Sequence, residues 1–90
     1  MVKVKNLNNT SGRIPNGYSS WKDYWQSKKG YWPQYCAVSG CYETAVLGGH
    51  VKKVGSFDNK WYIVPLCSHH NNDHDAEFYV NEKMLVPVND

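Results

Sequence analysis

The sequence predicts a small α+β domain: one aromatic helix near the N-terminus, a β-hairpin followed by a short helix, and short strands at both ends. Three observations lead there. A helix-period aromatic stretch with recognisable ends covers Ser20 to Gly30. Apolar runs of strand length recur on either side of it. Two Cys/His pairs, Cys36-x4-Cys41 and Cys67-x2-His70, flank the segment expected to form the hairpin.

Val2 and Val4 alternate with Lys3 and Lys5, the period-two pattern of an edge strand. Asn6 to Ser19 is rich in Asn, Ser, Gly and Pro and reads as a loop. Ser20 can cap the helix, with Asp23 placed close to a capping-box position. Trp21, Tyr24, Trp25 and Lys28 share one helical face, and this aromatic face reads as core. Lys28 and Lys29 suit the C-terminal end of the dipole, and Gly30 suits the C′ position. Tyr31 to Tyr35 contains Pro33 and reads as extended. CAVSGC, Cys36 to Cys41, is a tight loop around Gly40. Thr44 to Val54 reads as a strand broken at Gly48-Gly49. Gly55 to Lys60 is a turn, and Trp61 to Leu66 a strongly apolar strand whose pairing Pro65 limits. A short helix capped by Ser68 follows. Phe78 to Val80 and Met84 to Val88 are short strands, and pairing between the terminal strands is expected.

Ninety residues fit one domain, 1–90, with a marginal core. A chain of this size buries only about 60% of its unfolded surface and often needs a staple. Its 3 cysteines are an odd number, which argues against a closed disulfide framework. The N-terminal residues contain no apolar stretch of signal-peptide length, and no run approaches a membrane span. The expectation is a cytoplasmic chain whose cysteines bind metal. Net charge is +2, too weak by itself to mark a nucleic-acid binder. It is unevenly distributed: residues 1–60 balance to +6 and residues 61–90 to −4. Arg13 is the one arginine, which counts against bidentate phosphate or guanine readout. The 4 Trp and 7 Tyr read as ring-filled core ahead of an aromatic binding surface.

The two Cys/His pairs carry the chemistry. A CAVSGC loop can aim two thiolates at one point, and residues three apart at the start of a helix share a face. Cys36, Cys41, Cys67 and His70 together make a Cys3His set, the closed tetrahedral pattern of structural zinc. All of the cysteines are used. Three unrelated buried thiols would be the plainer reading, and the spacing beside His70 favours zinc.

The order Cys-x4-Cys, then GGHV at Gly48 to Val51, then a turn, then WYIVPLCSHHNN at Trp61 to Asn72, resembles the zinc-containing branch of the HNH (His-Me finger, ββα-metal) family. The likeness covers roughly residues 36–75. It implies a hairpin and helix that hold a catalytic metal beside a general-base histidine, with a separate zinc pinning the hairpin to the helix. By position, the structural ligands fall on Cys36, Cys41, Cys67 and His70, and the base on His50. Other positions depart from the family pattern. Gly49 stands where an acid or His precedes the base, and Tyr62 where an Asn orients it. Asn71 stands at the metal-binding His of the helix, and the last ligand falls near Asp75, with His74 as a register-shifted substitute.

The expected function is therefore a non-catalytic zinc module that docks onto a protein or nucleoprotein partner. Small size, zinc and lost catalytic positions resemble zinc-bearing anti-CRISPR proteins as a type, with a CRISPR effector nuclease as the partner implied. Nucleic acid is a further candidate partner. The alternative is a metal-dependent HNH endonuclease cleaving DNA. There His50 is the base, and a second divalent ion is held by Asn71, Asp75 or His74.

Overall fold

The computed structural model describes residues 1–7, 14–55, 57 and 60–88. Arg13, Asp90 and half of the expected turn at 55–60 lie outside them. Elements follow in the order β1 (Val2–Asn6), α1 (Trp21–Lys29), β2 (Leu47–Lys53), β3 (Tyr62–Leu66), α2 (Ser68–Asn72), β4 (Glu77–Val80), a 3-10 turn (Glu82–Met84) and β5 (Val86–Pro87). The strands form one antiparallel sheet ordered β4-β1-β2-β3-β5.

The α1 helix begins and ends as its sequence dictates. Ser20 Oγ accepts from the Asp23 amide at 3.0 Å, and Asp23 Oδ2 accepts from the Ser19 amide. Gly30 closes the helix at φ 84°, a left-handed conformation that other residues adopt at a cost. Trp21, Tyr24 and Trp25 are buried against Ile63 and Val86. Their polar atoms largely find partners: Trp25 Nε1 donates to the Met84 carbonyl at 2.8 Å and Tyr24 Oη to the Pro87 carbonyl at 2.9 Å. These bonds tie α1 to the β5 edge.

The sheet has a core on each face. Alternation along β3 sends Tyr62, Val64 and Leu66 to one side, where they pack with Val4, Val51, Phe78, Val80, Cys36 and Cys67. Ile63 goes to the other side, under α1. Burial on both faces explains why β3 reads as a continuous apolar run.

Three expectations need correction. β1 is not an edge strand: it pairs with β4 on one side and β2 on the other. Period-two patterning reports which face is buried and says nothing about hydrogen bonding at the strand's two edges. The Gly48-Gly49 pair does not break its strand, since both lie in the ladder opposite Pro65 and Val64. They are glycines because neighbours come close. A Cβ on Gly48 would stand 2.8 Å from the Trp21 carbonyl carbon, and one on Gly49 would stand 2.3 Å from Leu66 Cδ1. The Met84 to Val88 stretch is shorter as a strand than expected, being a 3-10 turn followed by β5. Terminal pairing holds for β1 with β4, whereas β5 joins β3 at the opposite edge.

The uneven charge of the sequence is interleaved by this topology. Lys3 meets Glu77 at 3.5 Å and Lys53 meets Glu82 at 3.1 Å, so each pair joins the basic stretch to the acidic one. Among the described residues, no helix is long and apolar enough to cross a membrane.

Candidate metal centre

The CAVSGC loop closes a miniature ribbon. The Cys36 amide donates to the Glu43 carbonyl at 2.8 Å and the Ala45 amide to the Gln34 carbonyl at 3.0 Å. Gly40 takes φ 81°, and the Cys41 amide reaches back to the Val38 carbonyl. The ribbon is laid on the sheet by two further bonds, Ala37 N to the Pro65 carbonyl and Ser39 N to the Tyr79 carbonyl. From the other side, β3 delivers Cys67 as the N-cap of α2, in place of the expected Ser68. Its sulfur accepts from the His70 amide at 3.5 Å, so the turn that aims His70 also orients the thiol.

The ligand atoms of Cys36, Cys41, Cys67 and His70 all lie within 4.8 Å of one another. Zn–S and Zn–N bonds of about 2.3 and 2.0–2.1 Å give tetrahedral edges of about 3.8 Å between sulfurs and about 3.6 Å from sulfur to nitrogen. Cys41 Sγ to Cys67 Sγ is 3.9 Å, and Cys36 Sγ to His70 Nδ1 is 3.7 Å. The Cys67 Sγ to His70 Nδ1 edge is shorter, at 3.2 Å. A disulfide would need sulfurs about 2.05 Å apart, and all three cysteines are free. The four side chains can therefore hold a metal ion, and three sulfurs with one imidazole are donors that zinc takes in closed sites.

Burial shapes the protonation of two of the four side chains. Burial pushes the Cys36 thiol up to about 12, with the Cys67 side chain adding to the rise against two backbone hydrogen bonds. A thiol so buried ionises only when a positive charge arrives, as a coordinating metal provides. Burial, then the neighbouring His69, holds His70 below the usual imidazole value, favouring the neutral ring that ligation requires. His69 itself is exposed, as the ligand direction of His70 implies.

His50 lies on the opposite face of the sheet from this centre. It pairs with Ile63 across the β2–β3 ladder, while Tyr62 pairs with Val51 on the metal face. Tyr62 therefore cannot orient His50. Two indoles flank the imidazole instead, Trp21 at 4.5 Å and Trp61 at 6.0 Å between ring centres. His50 is only 4% exposed. It nevertheless lines a cleft of ≈ 510 Å³ that Asn71 and His74 also line. Asp75, the other position considered for a second ion, does not line it. Among the described residues, the Cys3His set is the one group of three or more Cys, His, Asp or Glu placed to hold a metal.

Sequence reasoning missed Asn6. It is 1% exposed, and its Nδ2 donates to the carbonyls of His70, Asn71 and Asp73 at 3.0, 3.0 and 3.1 Å. One β1 side chain thus ties down the C-terminal end of α2, the helix that carries His70. An asparagine within an alternating Val/Lys run was the available signal, since a polar residue on the buried face needs partners. The chain matches no family model, no curated protein and no solved structure.

Proposed function

We propose that the chain is a zinc-stapled, non-catalytic module that docks onto a protein or nucleoprotein partner, an effector nuclease of the CRISPR type being the kind foreseen from the sequence. The convergence of Cys36, Cys41, Cys67 and His70 carries this reading. Four protein donors leave no open coordination position for substrate, which is the structural rather than the catalytic use of zinc. The staple joins the CAVSGC ribbon to α2 across residues that are distant in sequence. The environment of His50 supports the absence of catalysis. A general base must lie within hydrogen-bond reach of the proton it abstracts, and His50 is packed between two indoles. Gly49, where the HNH pattern places a metal ligand, has no room for a side chain without displacing Leu66.

A second reading draws on the cleft, which His50, Asn71 and His74 all line. On that reading the chain is an HNH-type endonuclease with a divalent ion beside His50. A plasmid-nicking assay across Mg²⁺, Mn²⁺ and Zn²⁺ separates the two. The docking module predicts no nicking by zinc-loaded protein and recovery of a specific partner. Nicking that vanishes in His50→Ala would establish the enzyme instead.

A further inference from the structure

The same cleft has a composition that points to a ligand of another kind. Its lining is partly apolar, from Leu7, Ile14, Val46 and Leu47, with Ile14 and Val46 46% and 44% exposed. Lys22, Asn71, Asn72 and His74 make up a polar part of the lining, and no carboxylate lines the cleft among the described residues. Ser20, Trp21 and Lys22 also line it, so the start of α1 opens there, its Asp23 carboxylate being engaged by the Ser19 amide. An independent feature adds to this. Trp21 is 6% exposed, and its indole N–H is buried with no hydrogen-bond partner, whereas the indoles of Trp25 and Trp32 donate to carbonyls. Buried donors in folded proteins are nearly always satisfied, so an unpartnered one on a residue that lines the cleft sets Trp21 apart from those two indoles. The volume, ≈ 510 Å³, lies within the range of ligand pockets and takes a few side chains.

We infer that this cleft receives an acidic, apolar segment of the partner protein, an apolar side chain lying against Ile14 and Val46 and a carboxylate against Lys22 and the start of α1. The inference rests on the docking reading and names the chemistry of the docked segment. An anion without an apolar group would leave Leu7, Ile14 and Val46 wet. A basic segment would meet Lys22.

The test uses the full zinc-loaded chain and three fluorescein-labelled peptides of equal length. One alternates aspartate with leucine, one lysine with leucine, and one aspartate with serine. Oligodeoxythymidylate is the fourth probe. Anisotropy reports affinity, and the indole N–H signals in a ¹⁵N–¹H spectrum report place. The aspartate–leucine peptide is expected to bind best and to move the Trp21 indole signal while leaving those of Trp25 and Trp32 in place. Lys22→Glu and, separately, Ile14→Asp should each weaken binding by about tenfold or more. Lys29→Glu, at the other end of α1, should not. Comparable binding of the lysine–leucine or aspartate–serine peptide overturns the inference. So does a Trp21 shift produced by the oligonucleotide in place of the peptide. Metal content of the same sample separates the two readings. Peptide binding by a metal-free chain supports the cleft and removes the staple. No binding by a zinc-loaded chain overturns the cleft and leaves the staple standing.

Discussion

Gly48→Ala tests how α1 is seated on the sheet. The added methyl would lie 2.8 Å from the Trp21 carbonyl carbon, 2.9 Å from its oxygen and 2.9 Å from Ile63 Cγ2. Two of these atoms are helix backbone, and Ile63 is fully buried, so no flexible side-chain end can yield. The helix must shift outward, and Trp21, Tyr24 and Trp25 shift with it. Overpacking of this kind costs roughly 1–3 kcal/mol. Lower entropy of the unfolded chain returns about 0.4–1 kcal/mol. The net expectation is a loss of about 1–2 kcal/mol, or about 4–16 °C in Tm for a domain of this size. Thermal unfolding followed by tryptophan fluorescence, with zinc in excess, measures it. Metal content should not change, because Gly48 faces away from the ligand cluster. A variant as stable as the parent would refute the argument that close approach of α1 requires glycine here.

Asn6→Ala removes a donor shared by three carbonyls and should cost about 1–3 kcal/mol in urea unfolding. Asn6→Asp should be worse than Asn6→Ala, since a carboxylate would face those same oxygens; the reverse order would refute the clamp. Cys41→Ser should lose the metal and the cooperative transition, while His70→Cys, which keeps four zinc donors, should retain both when metal content and circular dichroism are compared. Glu82 holds the Lys53 ammonium above the usual lysine value, so this pair's contribution is present below that value and fades only as pH rises through the elevated one. Glu82→Gln should therefore change stability by less than about 1 kcal/mol, by an amount that is flat from pH 7 to 9 in a titration of Tm. A change with pH inside that window would assign the pair a different role.

Much of the fold is legible in local chemistry. Ser20, Asp23 and Gly30 state the ends of α1 because caps are satisfied by residues adjacent in sequence. The aromatic face of α1 is buried as its period requires. The Cys/His cluster that could hold a metal is legible for a similar reason, since each half is a short-range pair whose geometry the intervening residues fix. What is not legible depends on residues far away in the chain. Gly48 and Gly49 read as a break until Trp21 and Leu66 are placed beside them. The interior position of β1 depends on β4 arriving from residues 77–80. The role of Asn6 depends on three carbonyls more than sixty residues away. The separation of His50 from the metal centre follows from strand register, which puts it opposite Ile63 and not on the face of Val64 and Leu66.

Native mass spectrometry of the purified chain, before and after a strong chelator and paired with a thermal melt of each sample, tests the central claim most directly. One zinc per chain is expected at the start, and its removal should abolish the cooperative melt, because structural zinc contributes an apparent ~10–16 kcal/mol in small peptides near neutral pH. A chain that carries no metal as isolated and still melts cooperatively would contradict the account.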